Sequence, residues 1–357
     1  MLKDDKGLLI VQIYVDDIVF GSTCQEYVDE FVESMTKKFE MSMCGELTYF
    51  LGLQIKQIEH GIFISQSTYA KNLVERFGLK GSKTARTPMG VTDKLSRDEA
   101  GEDVDERTYR GMIGSLLYLT TSRPDICLAV GVCARYQAKP KTSHMLAVKR
   151  IIKYMNGTVN LGLYYTKDTT RSLMGYCDAD WAGSLEDRRS TSGGCFFMGN
   201  NMVSWHSKIQ NSVSLSTAEA EYIALGSCCT QLMWMTQMAE DYGMISDSLL
   251  ILCDNQSAIS IAKNPVQHSH TKHIDIRHHF IRELVEAKLI VIDHVGTEHQ
   301  LADLFTKPLD FNRFISLRTS IGVCVNYDVF VSGADLRQGH KARTGHGNPK
   351  MNRGSAP

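Results

Sequence analysis

Met174-Gly175-Tyr176-Cys177-Asp178-Ala179-Asp180-Trp181 is the stretch on which the reading of this chain turns. A short apolar strand runs into acidic residues with no basic partner nearby in sequence. Three later carboxylates, Glu221, Asp254 and Asp303, stand where an apolar element would bury a hydrophobic side chain. Burying a carboxylate without a partner is costly, so a group of them implies either bound cations or ion pairs. Oxygen ligands without cysteine favour hard cations, magnesium with manganese as a substitute.

The elements around this stretch set its architecture. Strands are expected over 173–178, 194–198 and 202–205, with Gly199-Asn200-Asn201 as the turn between the second and third. A long helix is expected over 217–239, a strand over 249–253, and helices over 255–263 and 275–287. A strand over 289–293 and a last helix near Gln300 complete the set. Three antiparallel strands, a helix, then strands alternating with helices predict a mixed five-stranded sheet flanked by helices.

Each carboxylate also has a purely structural reading. Ser216-Thr217-Ala218-Glu219 has the form of a capping box, which turns Glu219 back to its helix start. Glu221 instead shares a face with Leu225, Cys228 and Leu232, the stripe that should bury. Asp254 directly precedes a helix and could cap it. Asp303, in an apolar helix, could pair with Lys307 one turn on. Asp178 and Asp180 have the same strand parity, so alternation alone does not choose between them.

Upstream, Leu8 to Ile13 and Ile18 to Phe20 read as strands joined by the acidic tip Tyr14-Val15-Asp16-Asp17, with Gly21 closing the return. Tyr27, Phe31, Met35 and Phe39 mark a helix face; 47–55 and 61–66 read as strands. Residues 84–107 are polar, with Pro88, Gly90, Gly101 and acids from Asp98 to Glu106, and read as a surface linker. Helices follow over 109–117, from Arg123-Pro124-Asp125 onward, and over 145–155. On the last of these Lys149, Arg150 and Lys153 crowd one side, either as a solvated face or as phosphate contacts along a duplex.

Composition narrows the class. The 357 residues, 43% hydrophobic and 22% charged, suit a multidomain globular chain. Ten cysteines without a Cys-x-x-Cys pair suit reduced intracellular thiols, and no apolar run nears the roughly 18 residues of a membrane span. The start of the sequence is not a signal peptide, so an intracellular, cytoplasmic location is expected. The net charge of −1 gives no global support for nucleic-acid binding, which would need local clusters. His268, His270, His273, His278 and His279 lack cysteine and regular spacing, so they are not read as a zinc site. Residues 331–357, rich in Gly, Asn, Arg and Lys, are expected to be disordered.

Several motifs in order carry a family resemblance. Tyr14-Val15-Asp16-Asp17 after a strand resembles the catalytic hairpin of reverse transcriptases, and Phe50-Leu51-Gly52 resembles their primer-contacting strand. Tyr109 to Gly157, with Ile113-Gly114-Ser115-Leu116-Leu117-Tyr118-Leu119, Arg123-Pro124-Asp125, His144 and Lys149-Arg150, resembles the connecting segment of copia-type LTR-retrotransposon Pol polyproteins. The third region resembles a ribonuclease H. The resemblance spans roughly residues 8 to 323. It implies Asp178 as the first ligand, with Glu221, Asp254 and Asp303 following, and Asp16 and Asp17 as polymerase metal ligands. It also implies two ions about 4 Å apart that activate a water and stabilise the leaving oxygen. The 2′-hydroxyl would mark the RNA strand of an RNA–DNA hybrid. Neither His294 nor His299 has the spacing expected of the family's product-release histidine.

The expectation is therefore a fold of α+β and α/β class in four segments. These are a truncated reverse-transcriptase palm remnant (1–90), a linker and helical connection segment (91–168), a ribonuclease H-like domain (169–310) and a C-terminal extension (311–357). The third polymerase aspartate and the fingers precede the hairpin in the family. Asp4 and Asp5 are not accepted as substitutes, so polymerase activity is expected to be lost through truncation. The expected activity is metal-dependent cleavage of RNA in RNA–DNA hybrids, with RNA and DNA as partners and no membrane or small-molecule cofactor. A non-catalytic relic is the alternative. A transposase or integrase shares the fold class but fits poorly, because Glu221 on the first long helix marks ribonuclease H.

Overall fold

The computed structural model describes residues 2–3, 7–244, 249–263 and 275–325, with side chains from residue 7 onward except 275–278. The tail from 331 and His268, His270 and His273 fall outside the described residues, as does the His278 side chain. Among the described residues no helix is long and apolar enough to cross a membrane.

The first sheet is antiparallel: β1 (Leu2–Lys3), β2 (Leu8–Tyr14) and β3 (Asp17–Ser22). Its hairpin is tighter than expected. Val15 turns the chain at φ 52, and Gly21 lies inside β3 opposite Ile10 instead of closing the return. Helix α1 (Gln25–Lys38) packs Phe31 on Phe20, ring centroids 5.0 Å apart, and buries Tyr27; Phe39 falls past its end and is exposed.

A second sheet runs in the order β13 (Val323–Val325), β7 (Leu161–Thr166), β6 (Gly61–Ser65), β5 (Leu53–Ile58), β4 (Tyr49–Phe50), all antiparallel. The single strand expected over 47–55 is broken by a turn at Leu51 and Gly52, with φ of 48° and 79°. The Tyr118 hydroxyl donates to the Leu51 carbonyl at 2.9 Å, and a Cβ at Gly52 would sit 1.7 Å from that hydroxyl. Only glycine fits there. This sheet takes strands from three of the four segments outlined from sequence, so its hydrogen bonds cross the segment boundaries.

Helices α2 (Ser67–Arg76), α3 (Glu106–Leu119), α4 (Cys127–Ala134) and α5 (Thr142–Asn156) pack into one core. Tyr109, Met112, Ile113 and Leu116 of α3 meet Leu73 and Val74 of α2 and Val148, Ile151 and Ile152 of α5. Each such aliphatic burial contributes about 1.5–3 kcal/mol. Asp105 caps α3 by accepting from Thr108 N at 2.6 Å. Pro124 opens a 3-10 turn (Pro124–Ile126) that leads into α4. The stretch over 84–107 has no regular element, yet it is not wholly a surface linker: Thr87 and Pro88 are buried.

The third sheet has the order β10 (Asn201–Ile209), β9 (Thr191–Met198), β8 (Leu173–Asp180), β11 (Leu249–Cys253), β12 (Ile290–His294). β10, β9 and β8 are antiparallel neighbours, whereas β8, β11 and β12 run parallel. Helix α6 (Thr217–Asp241) covers one face, followed by α7 (Gln256–Lys263) and α8 (Asp275–Glu286). Alternation along β8 splits its side chains between two cores. Cys177 and Ala179 join α6, while Tyr176 packs with Leu301, Leu304 and Phe305 on the other side. A hairpin-linked antiparallel trio followed by two parallel strands is the sheet of the ribonuclease H-like fold. The last helix, α9 (Phe311–Ser320), is capped by Asp310 and returns the chain to β13.

Candidate active site

Four elements bring four carboxylates together. Asp178 comes from the end of β8, where the side-chain face turned away from α6 is buried; the residue is 2% exposed. Glu221 comes from the first turns of α6 and is 6% exposed. Its position follows from the apolar stripe of α6, since Ala220, Tyr222, Leu225 and Cys228 are all buried with it. Glu219 behaves as the capping pattern requires: its carboxylate accepts from Leu215 N at 2.7 Å, and Ser216 Oγ accepts from Glu219 N at 3.2 Å.

Asp254 follows β11. In register it lies two residues past the pair Leu252–Tyr176, as Asp178 does on β8. It does not cap α7. Asn255 does so, its Oδ1 accepting from Ala258 N at 3.0 Å, which leaves the half-buried Asp254 carboxylate to accept from Thr297 Oγ1 at 3.1 Å. Asp303 lies in the 3-10 turn Leu301–Phe305 and is 3% exposed. That turn stands where a regular helix was expected.

Oxygens of Asp178, Asp254 and Asp303 all lie within 4.8 Å of one another, and so do ligand atoms of Glu221, Cys253 and Asp254. One divalent ion with bonds of about 2.0–2.6 Å spans such a separation. Asp180 is set apart from Asp178 here: it is less buried and joins neither group. Burial raises the Asp180 carboxyl above the usual range, and Asp178 adds to this.

Electrostatics divide the site into two halves. Lys307 Nζ lies 2.8 Å from Asp303 Oδ1 and 3.5 Å from Asp178 Oδ2. Arg313 reaches Asp303 Oδ2 at 3.3 Å and also donates to the carbonyls of Thr297 and Glu298. The Thr306 hydroxyl donates to Asp178. Among the described residues no cation pairs with Glu221; its neighbours are the Asp178 carboxyl and the Cys253 thiol, the latter 3.9 Å away. Burial first, and Asp178 second, push the Glu221 carboxyl up to about 11. Asp303 is pushed up to about 6 by burial and Asp178, against the pull of Lys307. Four converging carboxylates, two of them (Glu221 and Asp303) held above the usual range by burial, fit a hard metal ion. The residues present thus fit magnesium.

Of the remaining sequence candidates, Asp16 and Asp17 lie exposed at the tip of the first sheet's hairpin, and among the described residues they join no metal-ligating group of three. Lys149 is exposed and Lys153 half-buried on α5. Arg150 is committed elsewhere, to Thr87 through its carbonyl (3.3 Å) and hydroxyl (3.2 Å) and to Asp93 at 3.4 Å. His294 and His299 are exposed, His299 Nε2 lying 3.7 Å from Glu298. Sequence reading missed Thr297, Thr306 and Arg313. Their spacing to the carboxylates carries no periodic signal, unlike the four-residue step from Asp303 to Lys307.

A family model described as reverse transcriptase (RNA-dependent DNA polymerase) matches residues 2–91. Retrovirus-related Pol polyproteins from transposons RE1 of Arabidopsis thaliana and TNT 1-94 of Nicotiana tabacum are 36% and 33% identical, each over 90% of this chain. The chain spans 22% and 25% of their lengths. An uncharacterised mitochondrial protein of Arabidopsis thaliana is 36% identical over 62% of this chain and 92% of its own. Among solved structures, LC11-RNase H1 and its complex with an RNA/DNA hybrid are similar at TM-scores of 0.31 and 0.30. Their identities are 14% and 13%, and each covers 38% of this chain and 94% of the other. With Pol relatives matched across nine-tenths of its length and a reverse-transcriptase model over its first quarter, the chain belongs to the copia-type retrotransposon Pol polyprotein family.

Proposed function

We propose that residues 169–310 form a ribonuclease H unit that hydrolyses the RNA strand of RNA–DNA hybrids with magnesium, or manganese in its place. One observation carries this: Asp178, Glu221, Asp254 and Asp303 converge from four separate elements, and Glu221 is buried without a cationic partner among the described residues. Lys307 and Arg313 pair with Asp178 and Asp303, but caps and ion pairs do not account for the other two, because Asn255 takes the cap and, among the described residues, Glu221 takes no ion pair. Asp178, Glu221, Asp254 and Asp303 would hold the metal. When bound, it would activate a water and stabilise the leaving oxygen of an in-line displacement. The chain's own groups fix the carboxylates beforehand: Thr306 holds Asp178, Thr297 holds Asp254, and Arg313 holds Asp303.

The same proposal assigns the duplex backbone to exposed Lys149 and to Lys153, with Arg150 tethering the 84–107 stretch instead. Residues 1–90 and 91–168 are taken as polymerase palm and connection, and 311–357 as an extension. Loss of polymerase activity is part of the same reading, with Asp16 and Asp17 as its inherited metal-ligand pair at an exposed hairpin tip. The experiment is cleavage of a labelled RNA–DNA hybrid by the parent and by Asp254→Asn. Metal-dependent cutting of RNA alone, lost in the variant, supports the proposal. A folded parent that cuts nothing with either metal leaves the chain an inherited, non-catalytic relic.

A further inference from the structure

The two halves of the carboxylate site are unequally provided with positive charge. On one side, Lys307 Nζ sits between Asp303 (2.8 Å) and Asp178 (3.5 Å), both nearly fully buried, while its own side chain is 34% exposed. Its place is built by the fold. The buried Phe305 and the Thr306 hydroxyl on Asp178 hold the backbone of the turn, and Arg313 clamps Asp303 from the far side. On the other side, among the described residues, no lysine or arginine pairs with Glu221 or Asp254. Two of the three carboxylates in the group Asp178, Asp254, Asp303 are the ones that Lys307 bridges; the group of Glu221, Cys253 and Asp254 contains neither.

We propose that the Lys307 ammonium is a resident cation of this site, filling the Asp178–Asp303 half so that the nucleic-acid-free chain takes one divalent ion, on the Glu221–Asp254 side. This rests on the metal site proposed above. An ammonium delivers one charge from a side chain whose position is set by the turn, whereas a second dication would have to displace it. Its removal takes a cation from two buried carboxylates, leaving Asp303 with Arg313 and Asp178 with the Thr306 hydroxyl, and opens their half of the site to another cation.

The test counts ions without nucleic acid. Manganese is titrated into the full chain, and free ion is followed by electron paramagnetic resonance for the parent, Lys307→Met and Lys307→Arg. Circular dichroism checks that each is folded. One ion in the parent, two in Lys307→Met and one in Lys307→Arg is the expected result. Two ions in the parent, or one in Lys307→Met, overturns the proposal and leaves the metal site itself standing. No binding by any of the folded proteins removes the metal site and this inference together. Cleavage activity enters none of these outcomes.

Discussion

Replacing Glu221 by glutamine should stabilise the metal-free protein at neutral pH. Burial and Asp178 hold the Glu221 carboxyl protonated in the folded state, up to about 11, against an ordinary value of 4.5. In the unfolded chain it ionises above 4.5, so the unfolded state loses a proton that the folded state keeps. Stability therefore falls as pH rises from 4.5, by about 1.4 kcal/mol for each pH unit. At pH 7 that amounts to about 3 kcal/mol relative to a neutral isostere. Any folded-state value well above 7 gives the same figure. Below pH 4.5 both states are protonated and the difference vanishes. The assay is urea unfolding of parent and Glu221→Gln between pH 4 and 8, in chelator and then in magnesium. Glutamine should be the more stable in chelator by a margin that grows with pH, and magnesium should close the gap by stabilising the parent. Other titrating groups are common to both proteins and cancel in the difference. A margin that stays flat with pH would refute the reasoning, because Glu221 would then not be held in a poorly solvated site.

Three further outcomes follow from the fold. Arg123 and Asp125 form a buried, two-pronged ion pair at 2.8 and 2.7 Å, with Tyr154 donating to Asp125 at 2.6 Å. Arg123→Met strands that carboxylate, so urea unfolding should show a loss of about 3–5 kcal/mol. Gly52→Ala forces both a positive φ and a clash with the Tyr118 hydroxyl; thermal unfolding should show a loss of about 1–3 kcal/mol, and Tyr118→Phe should relieve part of it. On α5, Lys149→Ala should weaken hybrid binding and lower its dependence on salt. Arg150→Ala should instead cost about 0–1 kcal/mol of stability with the salt slope unchanged, because its guanidinium holds Thr87 and Asp93. Equal salt slopes in the two variants would reverse that assignment.

The chain's own pattern determined the third sheet and its helices. Alternation and helical periodicity are local properties, so the strands around Asp178 and Asp254 and the helix carrying Glu221 stand close to where they were expected. The four carboxylates were legible because each interrupts an apolar pattern. Other features had no local signal. The parity of β8 could not separate Asp178 from Asp180; depth in the packed site does. A cap at 254 or at 255 satisfies the same helix, and only the position of β11 beside β8 turns Asp254 toward Asp178. The turn at Gly52 depends on Tyr118, and the second sheet pairs Leu161–Thr166 with Gly61–Ser65 on one side and Val323–Val325 on the other, across long stretches of chain. Lys307 was legible as a partner of Asp303, one turn away, but not as a bridge to Asp178. That contact joins residues 129 positions apart. Sequence records which side chains prefer burial; which buried charges meet is settled when the elements pack, because desolvation and Coulomb attraction act across space and not along the chain.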